Sequence, residues 1–158
     1  MFKPEGPGPF PALVVLHGCS GLTDAYRVWA RRLNDWGYAA LVVDSFTPRN
    51  RSTVCGNASE INAETRAGDA FGALAHLRSR SDIITDRIGI IGFSHGGWST
   101  MRSIQGDMAD RFQQEPFAVA VAYYPACNPR SVRLDTDILI LAGEEDNWTS
   151  IDRCKFLK

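Results

Sequence analysis

Short apolar runs alternate with amphipathic stretches along almost the whole chain. The runs are apolar at consecutive positions rather than at every second one, which is typical of parallel strands buried on both faces. They predict five strands, at 12–17, 39–43, 88–93, 117–124 and 138–143. The segments 44–60 and 125–137 lack such a pattern and are predicted to be loops.

The stretches between the strands show helical periodicity. In the first, Tyr26, Trp29, Leu33 and Trp36 fall on one face, and Gly37 is placed to end the helix. The second is marked by Ala67, Ala70, Phe71, Leu74 and Leu77, and a third is expected over 96–104. Strands that alternate with helices predict a mostly parallel sheet with helices on both faces and right-handed crossovers.

Length, composition and charge narrow the class of protein. The 158 residues, 44% of them hydrophobic, suffice for one domain with a core, expected to span 1–158. A net charge of −1 gives no reason to expect nucleic acid or an anionic membrane as partner. The longest apolar run, 117–126, is too short to cross a bilayer. The oligomeric state stays open.

The four cysteines are Cys19, Cys55, Cys127 and Cys154. No two of them form a Cys-x-x-Cys pair or a Cys/His spacing for a metal, so we expect no metal site. Two disulfides are possible by count. Size and compartment favour four reduced thiols, in a cytoplasmic protein, with periplasmic or secreted locations left open.

One motif stands at the end of the third predicted strand. Residues 87–97 read Arg-Ile-Gly-Ile-Ile-Gly-Phe-Ser-His-Gly-Gly, an apolar run that stops on Gly-x-Ser-x-Gly. This is the pattern of the nucleophile elbow, the sharp strand-to-helix turn of α/β-hydrolases. Ser94 is therefore the candidate nucleophile.

The other candidate groups also follow predicted strands, so a parallel sheet would bring them to the same edge. The backbone N–H groups of Cys19 and His95 are predicted to form an oxyanion hole. Asp146 is the predicted acid that orients a catalytic imidazole, with Glu144 and Glu145 competing by proximity.

The catalytic base is missing from the expected place. The order in such enzymes is Ser, then Asp or Glu, then His, and no histidine follows Asp146. His17 is expected to be packed and hydrogen-bonded, His76 to lie on the surface, and His95 to point away from Ser94. We therefore expect a chain that is incomplete at its C-terminus and lacks the last strand and helix, with the histidine beyond Lys158.

Taken together, the motifs resemble those of the dienelactone hydrolase family, a branch of the α/β-hydrolases. The resemblance runs from about Pro11 to Cys154. It rests on Leu-His-Gly-Cys-Ser-Gly-Leu at 16–22, Gly-Tyr-Ala-Ala-Leu-Val-Val-Asp-Ser-Phe-Thr-Pro-Arg at 37–49, Asp-Arg-Ile-Gly-Ile-Ile-Gly-Phe-Ser-His-Gly-Gly at 86–97, Tyr-Tyr-Pro at 123–125 and Gly-Glu-Glu-Asp-Asn-Trp-Thr at 143–149.

This resemblance implies an α/β-hydrolase fold and cleavage of a small carboxylic ester or lactone through an acyl-enzyme, without a cofactor. It carries Ser94 to the nucleophile position and Asp146 to the acid position. Dienelactone hydrolase itself uses a cysteine nucleophile, so the serine here favours a more general esterase.

Two further expectations concern ligands. Arg49 and Arg51 could hold a substrate carboxylate, although solvated loop arginines are the simpler interpretation. Trp98 and Trp148 could line an apolar pocket or belong to the core. The alternative function is a non-catalytic α/β-hydrolase-like binding domain or inactive fragment, suggested by the absent base.

Overall fold

A central parallel sheet organises the molecule. The computed structural model describes residues 1–127 and 133–155. The strands are β1 (Phe10–Leu16), β2 (Ala39–Val43), β3 (Ile83–Phe93), β4 (Ala120–Tyr123) and β5 (Ile138–Leu141). Their order is β2-β1-β3-β4-β5 and all four pairings are parallel. This is the predicted mostly parallel sheet, in an α/β-hydrolase arrangement.

Helices cover both faces of the sheet. The α-helices are α1 (Asp24–Asp35), α2 (Ala63–Arg78), α3 (His95–Ser103) and α4 (Met108–Phe112), with short 3-10 helices at Thr47–Arg49 and Ile151–Arg153. Helix α1 packs on one face through Ala30 and Leu33. Helices α2 and α4 pack on the other, through residues such as Phe71 and Met108.

Burial on both faces explains the continuous apolar pattern of the central strands. In β1, Val14 and Leu16 join the core beneath α2, whereas Leu13 and Val15 join the core beneath α1. Because successive side chains point to opposite faces, every position of such a strand has to be apolar. The two central strands, β1 and β3, are thereby held from both sides, and their carboxyl ends carry the candidate site.

The predicted elements differ from the observed ones where tertiary contacts decide. Trp36, expected on the buried face of α1, is 59% exposed because the helix ends at Asp35. Strand β3 begins at Ile83, five residues before the predicted start. The apolar pattern did not reveal this first part, because positions 85–87 are exposed and carry polar side chains. Helix α4 was not predicted, because five residues are too few to show a helical period. The predicted loop 125–137 includes residues 128–132, which lie outside the described residues.

Candidate active site

The carboxyl ends of the strands surround one pocket, as the predicted topology requires. Its volume is about 430 Å³. Residues from the segments that follow β1, β2, β3, β4 and β5 line it: Cys19, Cys55, Ala58, Ser94, His95, Trp98, Ala126, Cys127, Trp148, Thr149 and Arg153. Of the sequence-predicted site residues, Ser94, Cys19 and His95 therefore share this pocket. The acid loop contributes Trp148 and Thr149, whereas Asp146 itself does not line it.

Ser94 occupies a strained turn between β3 and α3. Its backbone has φ 52° and ψ −114°, which is uncommon for a residue with a side chain. The turn leaves no room at the glycine two positions further on, where a Cβ on Gly96 would lie 2.2 Å from the carbonyl oxygen of Leu16. The Ser94 N–H donates to the carbonyl of Tyr123 at 2.9 Å, which ties the turn to β4. Its hydroxyl makes no hydrogen bond within the described residues.

The two predicted oxyanion donors are the amides of Cys19 and His95. His95 is the first residue of α3, so its N–H has no partner inside the helix. Within the described ranges neither amide donates to another protein group, while the neighbouring Gly18 amide donates to the Tyr26 hydroxyl at 2.7 Å. Both residues line the pocket, so both amides stay candidates for an oxyanion hole.

The expectation of four reduced thiols is wrong. Cys19 is bonded to Cys55, and Cys127 to Cys154, across sequence separations of 36 and 27 residues. No sequence pattern indicated the pairing, because the partners meet only when the loops of different strands converge at the sheet edge. Both disulfides border the pocket. Disulfides persist mainly in oxidising compartments, so the pairing weighs against the cytoplasm.

His17 is packed and hydrogen-bonded, as predicted. Its ring is fully buried; Nδ1 donates to the carbonyl of Gly18 at 2.8 Å, and Nε2 accepts from the Ser45 amide at 3.3 Å. Burial, reinforced by the nearby positive charge of Arg66, lowers the pKa of His17 from 6.5 to about 4. The ring is therefore neutral at pH 7 and serves to link β1 to the loop after β2.

His95 has both ring nitrogens committed away from Ser94. Nδ1 accepts from Arg66 Nη1 at 2.7 Å, and Nε2 donates to the carbonyl of Ala58 at 2.9 Å. Burial is the main cause that lowers the pKa of His95, and the charge of Arg66 adds to it. In this arrangement the ring has no free lone pair to take a proton from Ser94. His76, the remaining histidine, is exposed on α2, as predicted.

Asp146 lies in a tight local turn after β5. Its Oδ1 accepts from the amides of Trp148 and Thr149, both at 2.8 Å, and its Oδ2 accepts from the Thr149 hydroxyl at 2.7 Å. These bonds, those from Thr149 foremost, lower the pKa of Asp146, so it is ionised at neutral pH. The competing Glu144 and Glu145 are exposed and accept no hydrogen bond within the described part of the chain.

The arginines suggested for a substrate carboxylate are occupied elsewhere. Arg49 forms a two-pronged ion pair with Asp69, at 2.9 and 2.7 Å, and Arg51 pairs with Glu60. Neither lines the pocket. The tryptophans do: Trp98 and the 83% exposed Trp148 form part of its wall.

Sequence reasoning missed two arginines. Arg153 lines the pocket from the 3-10 helix beyond Asp146, and no motif pointed to it. Arg66 is completely buried beside His95 and His17. The signal for Arg66 was present, because it is the one charged residue on the alanine-rich face of α2 formed by Ala63, Ala67 and Ala70.

Two further features concern metal binding and membrane insertion. Among residues 1–127 and 133–155, no three His, Cys, Asp or Glu side chains lie together in a way that could hold a metal ion. In the same part of the chain, no helix has the length and apolarity needed to cross a membrane.

Comparison with known proteins points to one family. The model of the dienelactone hydrolase family matches residues 1–158. No curated protein sequence matches the chain. Similar solved structures include a protein from Klebsiella pneumoniae subsp. pneumoniae MGH 78578, provisionally named a dienelactone hydrolase, with 19% identity and a TM-score of 0.80 over 98% of this chain.

Two metagenomic proteins show the same fold. One is the dienelactone hydrolase-like promiscuous phosphotriesterase P91, with 23% identity and a TM-score of 0.71 over 96% of this chain. The other is the α/β hydrolase MGS-M1 from a Medee basin deep-sea library, with 20% identity and a TM-score of 0.67 over 94% of this chain. The chain spans 70%, 64% and 61% of the lengths of the Klebsiella protein, P91 and MGS-M1.

Proposed function

The chain belongs to the dienelactone hydrolase family, and from this premise we propose that it carries the nucleophile and oxyanion hole of a serine hydrolase for small carboxylic esters or lactones. The observation that carries the proposal is the Ser94 turn. A serine in a strained conformation, its hydroxyl without a partner among the described residues, faces a pocket beside two unbonded amides. Structural serines at turns have no need of this combination.

In the proposed mechanism the Ser94 oxygen attacks the ester carbonyl and its proton passes to an imidazole. The carbonyl oxygen becomes an oxyanion that accepts from the Cys19 and His95 amides. The proton then passes to the leaving alkoxide, and water releases the acyl group in a second attack assisted by the same imidazole. Asp146, held ionised in its turn, orients that imidazole.

The imidazole is proposed to come from outside these 158 residues. His17 and His95 have both ring nitrogens engaged, and His76 is exposed on α2. Asp146 is half-buried, and its Oδ2 accepts a single hydrogen bond within the described residues, so this oxygen can accept another. This chain covers 70% and 64% of the lengths of the similar Klebsiella and P91 structures.

The pocket favours substrates with a small apolar group. A volume of about 430 Å³ bordered by two tryptophans and two disulfides suits a short acyl or aryl group. Arg153 is the cationic side chain of the lining, and the rest of the lining carries no charge at neutral pH. We therefore propose neutral or weakly anionic esters and lactones as substrates.

A non-catalytic binding domain is the second candidate, and one observation favours it. Within the described residues no histidine has a lone pair directed at Ser94, so the pocket could bind a ligand without turning it over. The two candidates differ in whether Ser94 reacts.

The test is hydrolysis of p-nitrophenyl acetate by the full gene product and by the 158-residue chain, each beside its Ser94→Ala variant. We expect Ser94-dependent turnover in the full product and little in the 158-residue chain, because the base is proposed to lie outside it. Ser103→Ala is the matched control, since Ser103 bonds to the carbonyl of Ser99 inside α3 and lies away from the pocket. Full activity in the Ser94→Ala product would reject the serine mechanism and favour the binding domain.

A further inference from the structure

Arg66 is a buried charge that forms no ion pair with an acidic side chain of the described residues. Its side chain is 0% exposed, and neither of its hydrogen bonds is to a carboxylate. Asp69, the acid that acts on it most strongly, is engaged by Arg49 through both carboxylate oxygens. Burying an ion costs several kcal/mol, and an unpaired one recovers little of that cost. Stability alone does not account for an arginine here.

The guanidinium group joins the loop after β1 to the first residue of α3. Nη2 donates to the carbonyl of His17 at 2.7 Å, and Nη1 donates to Nδ1 of His95 at 2.7 Å. The group lies 5.1 Å from the centre of the Phe46 ring, a cation–π contact that holds it in place. Nε has no partner among the described residues. Both hydrogen bonds therefore run toward the segments after β1 and β3.

These two segments supply the proposed oxyanion donors. His17 precedes the Gly18-Cys19 turn by one residue, and His95 itself carries the second amide. We propose that Arg66 is the positioning residue that fixes the distance between the Cys19 and His95 amides, and that its charge strengthens the field at the oxyanion. The inference rests on the proposed serine-hydrolase function and extends it to a residue that does not line the pocket.

A buried arginine behind the two amides can affect how well they stabilise an oxyanion. Oxyanion donors act only when they are aimed at the place where charge develops, and removing one costs about 10²–10³ in kcat. The guanidinium group of Arg66 is held in place because His17 and His95, to which it donates, and Phe46, whose ring it contacts, are all buried. Burial lowers the pKa of Arg66 to about 10, so the charge is retained at neutral pH.

The test compares Arg66→Met and Arg66→Lys in the full gene product with Arg78→Met as the matched control. Arg78 also donates to backbone carbonyls, those of Glu115 and Pro116 at 3.0 and 3.3 Å, but at the far end of α2. Steady-state kcat and KM for p-nitrophenyl acetate are measured, and kcat is normalised to the active sites counted from the acyl-enzyme burst.

We expect Arg66→Met to lower kcat per active site by about 10²-fold with KM within about threefold, because the amides act on the transition state. Arg66→Lys keeps the charge but cannot bridge both acceptors, so an intermediate loss of about tenfold is expected. Arg78→Met should stay within about twofold. If Arg66→Met does not fold, the lysine variant decides.

Two outcomes would overturn the inference, and they can be told apart. If Ser94→Ala abolishes turnover while the Arg66 variants change only the number of active sites or the thermal stability, Arg66 is merely structural. If Ser94→Ala leaves turnover unchanged, the proposed function fails and this inference fails with it.

Discussion

The nucleophile side and the acid side of the candidate site are built in different ways. Ser94 follows β3, in the centre of the sheet, and its turn is fixed by Tyr123 from a neighbouring strand. Asp146 follows β5, the last strand in the order, and its carboxylate is held by Trp148 and Thr149, two and three residues along the chain. One side depends on long-range contacts and the other on local ones.

The nucleophile side is also the more buried. His17 and Arg66 are fully buried behind it, whereas Glu144, Glu145 and Trp148 leave the acid loop open to solvent. Tertiary packing can hold a strained backbone such as that of Ser94, because many contacts share the cost. A local turn can orient a carboxylate without help from the rest of the fold. The nucleophile side is therefore positioned by tertiary packing, whereas the acid side is positioned by its own turn, and in the proposed mechanism it needs an imidazole from elsewhere.

The largest effect is expected from Asp146→Asn in the full gene product. The asparagine oxygen can still accept from the Trp148 and Thr149 amides, so the loop should fold, but the charge that orients and stabilises the imidazole is lost. We expect kcat to fall about 10³-fold or more, with only the modest loss of thermal stability that follows from a neutral acceptor in a turn open to solvent. Glu144→Gln and Glu145→Gln are the controls. A comparable loss in either would assign the acid role to that glutamate instead.

The next effect contrasts two glycines. A Cβ on Gly96 would lie 2.2 and 2.6 Å from the carbonyl oxygens of Leu16 and His17, whereas a Cβ on Gly143 meets nothing closer than 3.9 Å. Gly96→Ala should lower the free energy of unfolding by more than about 3 kcal/mol, because backbone atoms must move. Gly143→Ala should stay within about 0.5 kcal/mol. Urea denaturation of both variants checks this, and equal costs would remove the contrast between the two sides.

The smallest effect is expected in the pH dependence of stability, which should differ between the buried histidines of the nucleophile side and Asp146 of the acid side. His17 has a folded pKa of about 4 against its ordinary 6.5, so the unfolded chain binds the proton first as pH falls. The stability from neutral His17 is complete above pH 6.5 and is lost toward pH 4, by up to about 3 kcal/mol. His95, whose pKa is also lowered, acts in the same direction. Asp146, whose pKa is lowered from 3.8, loses its contribution only at still lower pH.

Urea titrations between pH 7 and 4.5 test this difference for the wild-type chain and for His17→Gln. Glutamine can donate and accept in place of the ring without titrating. The free energy of unfolding of the His17→Gln variant should therefore change less over that range than that of the wild-type chain. His76→Gln is the control, because it removes no buried group. An unchanged slope in His17→Gln would show that His17 does not carry the acid sensitivity and would leave His95 as the buried histidine on this side whose lowered pKa acts in that direction.

Much of the fold was predictable because its signals are local. Strand β2 has the predicted bounds, and α2 buries all five residues of its predicted apolar face. The Gly-x-Ser-x-Gly motif pointed to the turn at Ser94, since a strained turn between strand and helix leaves its mark in adjacent residues. The roles of Ser94 and Asp146 in a reaction stay predictions.

The sequence by itself determined the five strands, their parallel arrangement and the sheet edge that carries the candidate site, because burial on both faces dictates continuous apolar strands. Only the tertiary structure decided the partners of the charged and sulfur-containing residues. Arg49 with Asp69, Cys19 with Cys55 and Arg66 with His95 are 20, 36 and 29 residues apart. Such pairs meet when separate loops converge, and no pattern within one element records which loop will face which.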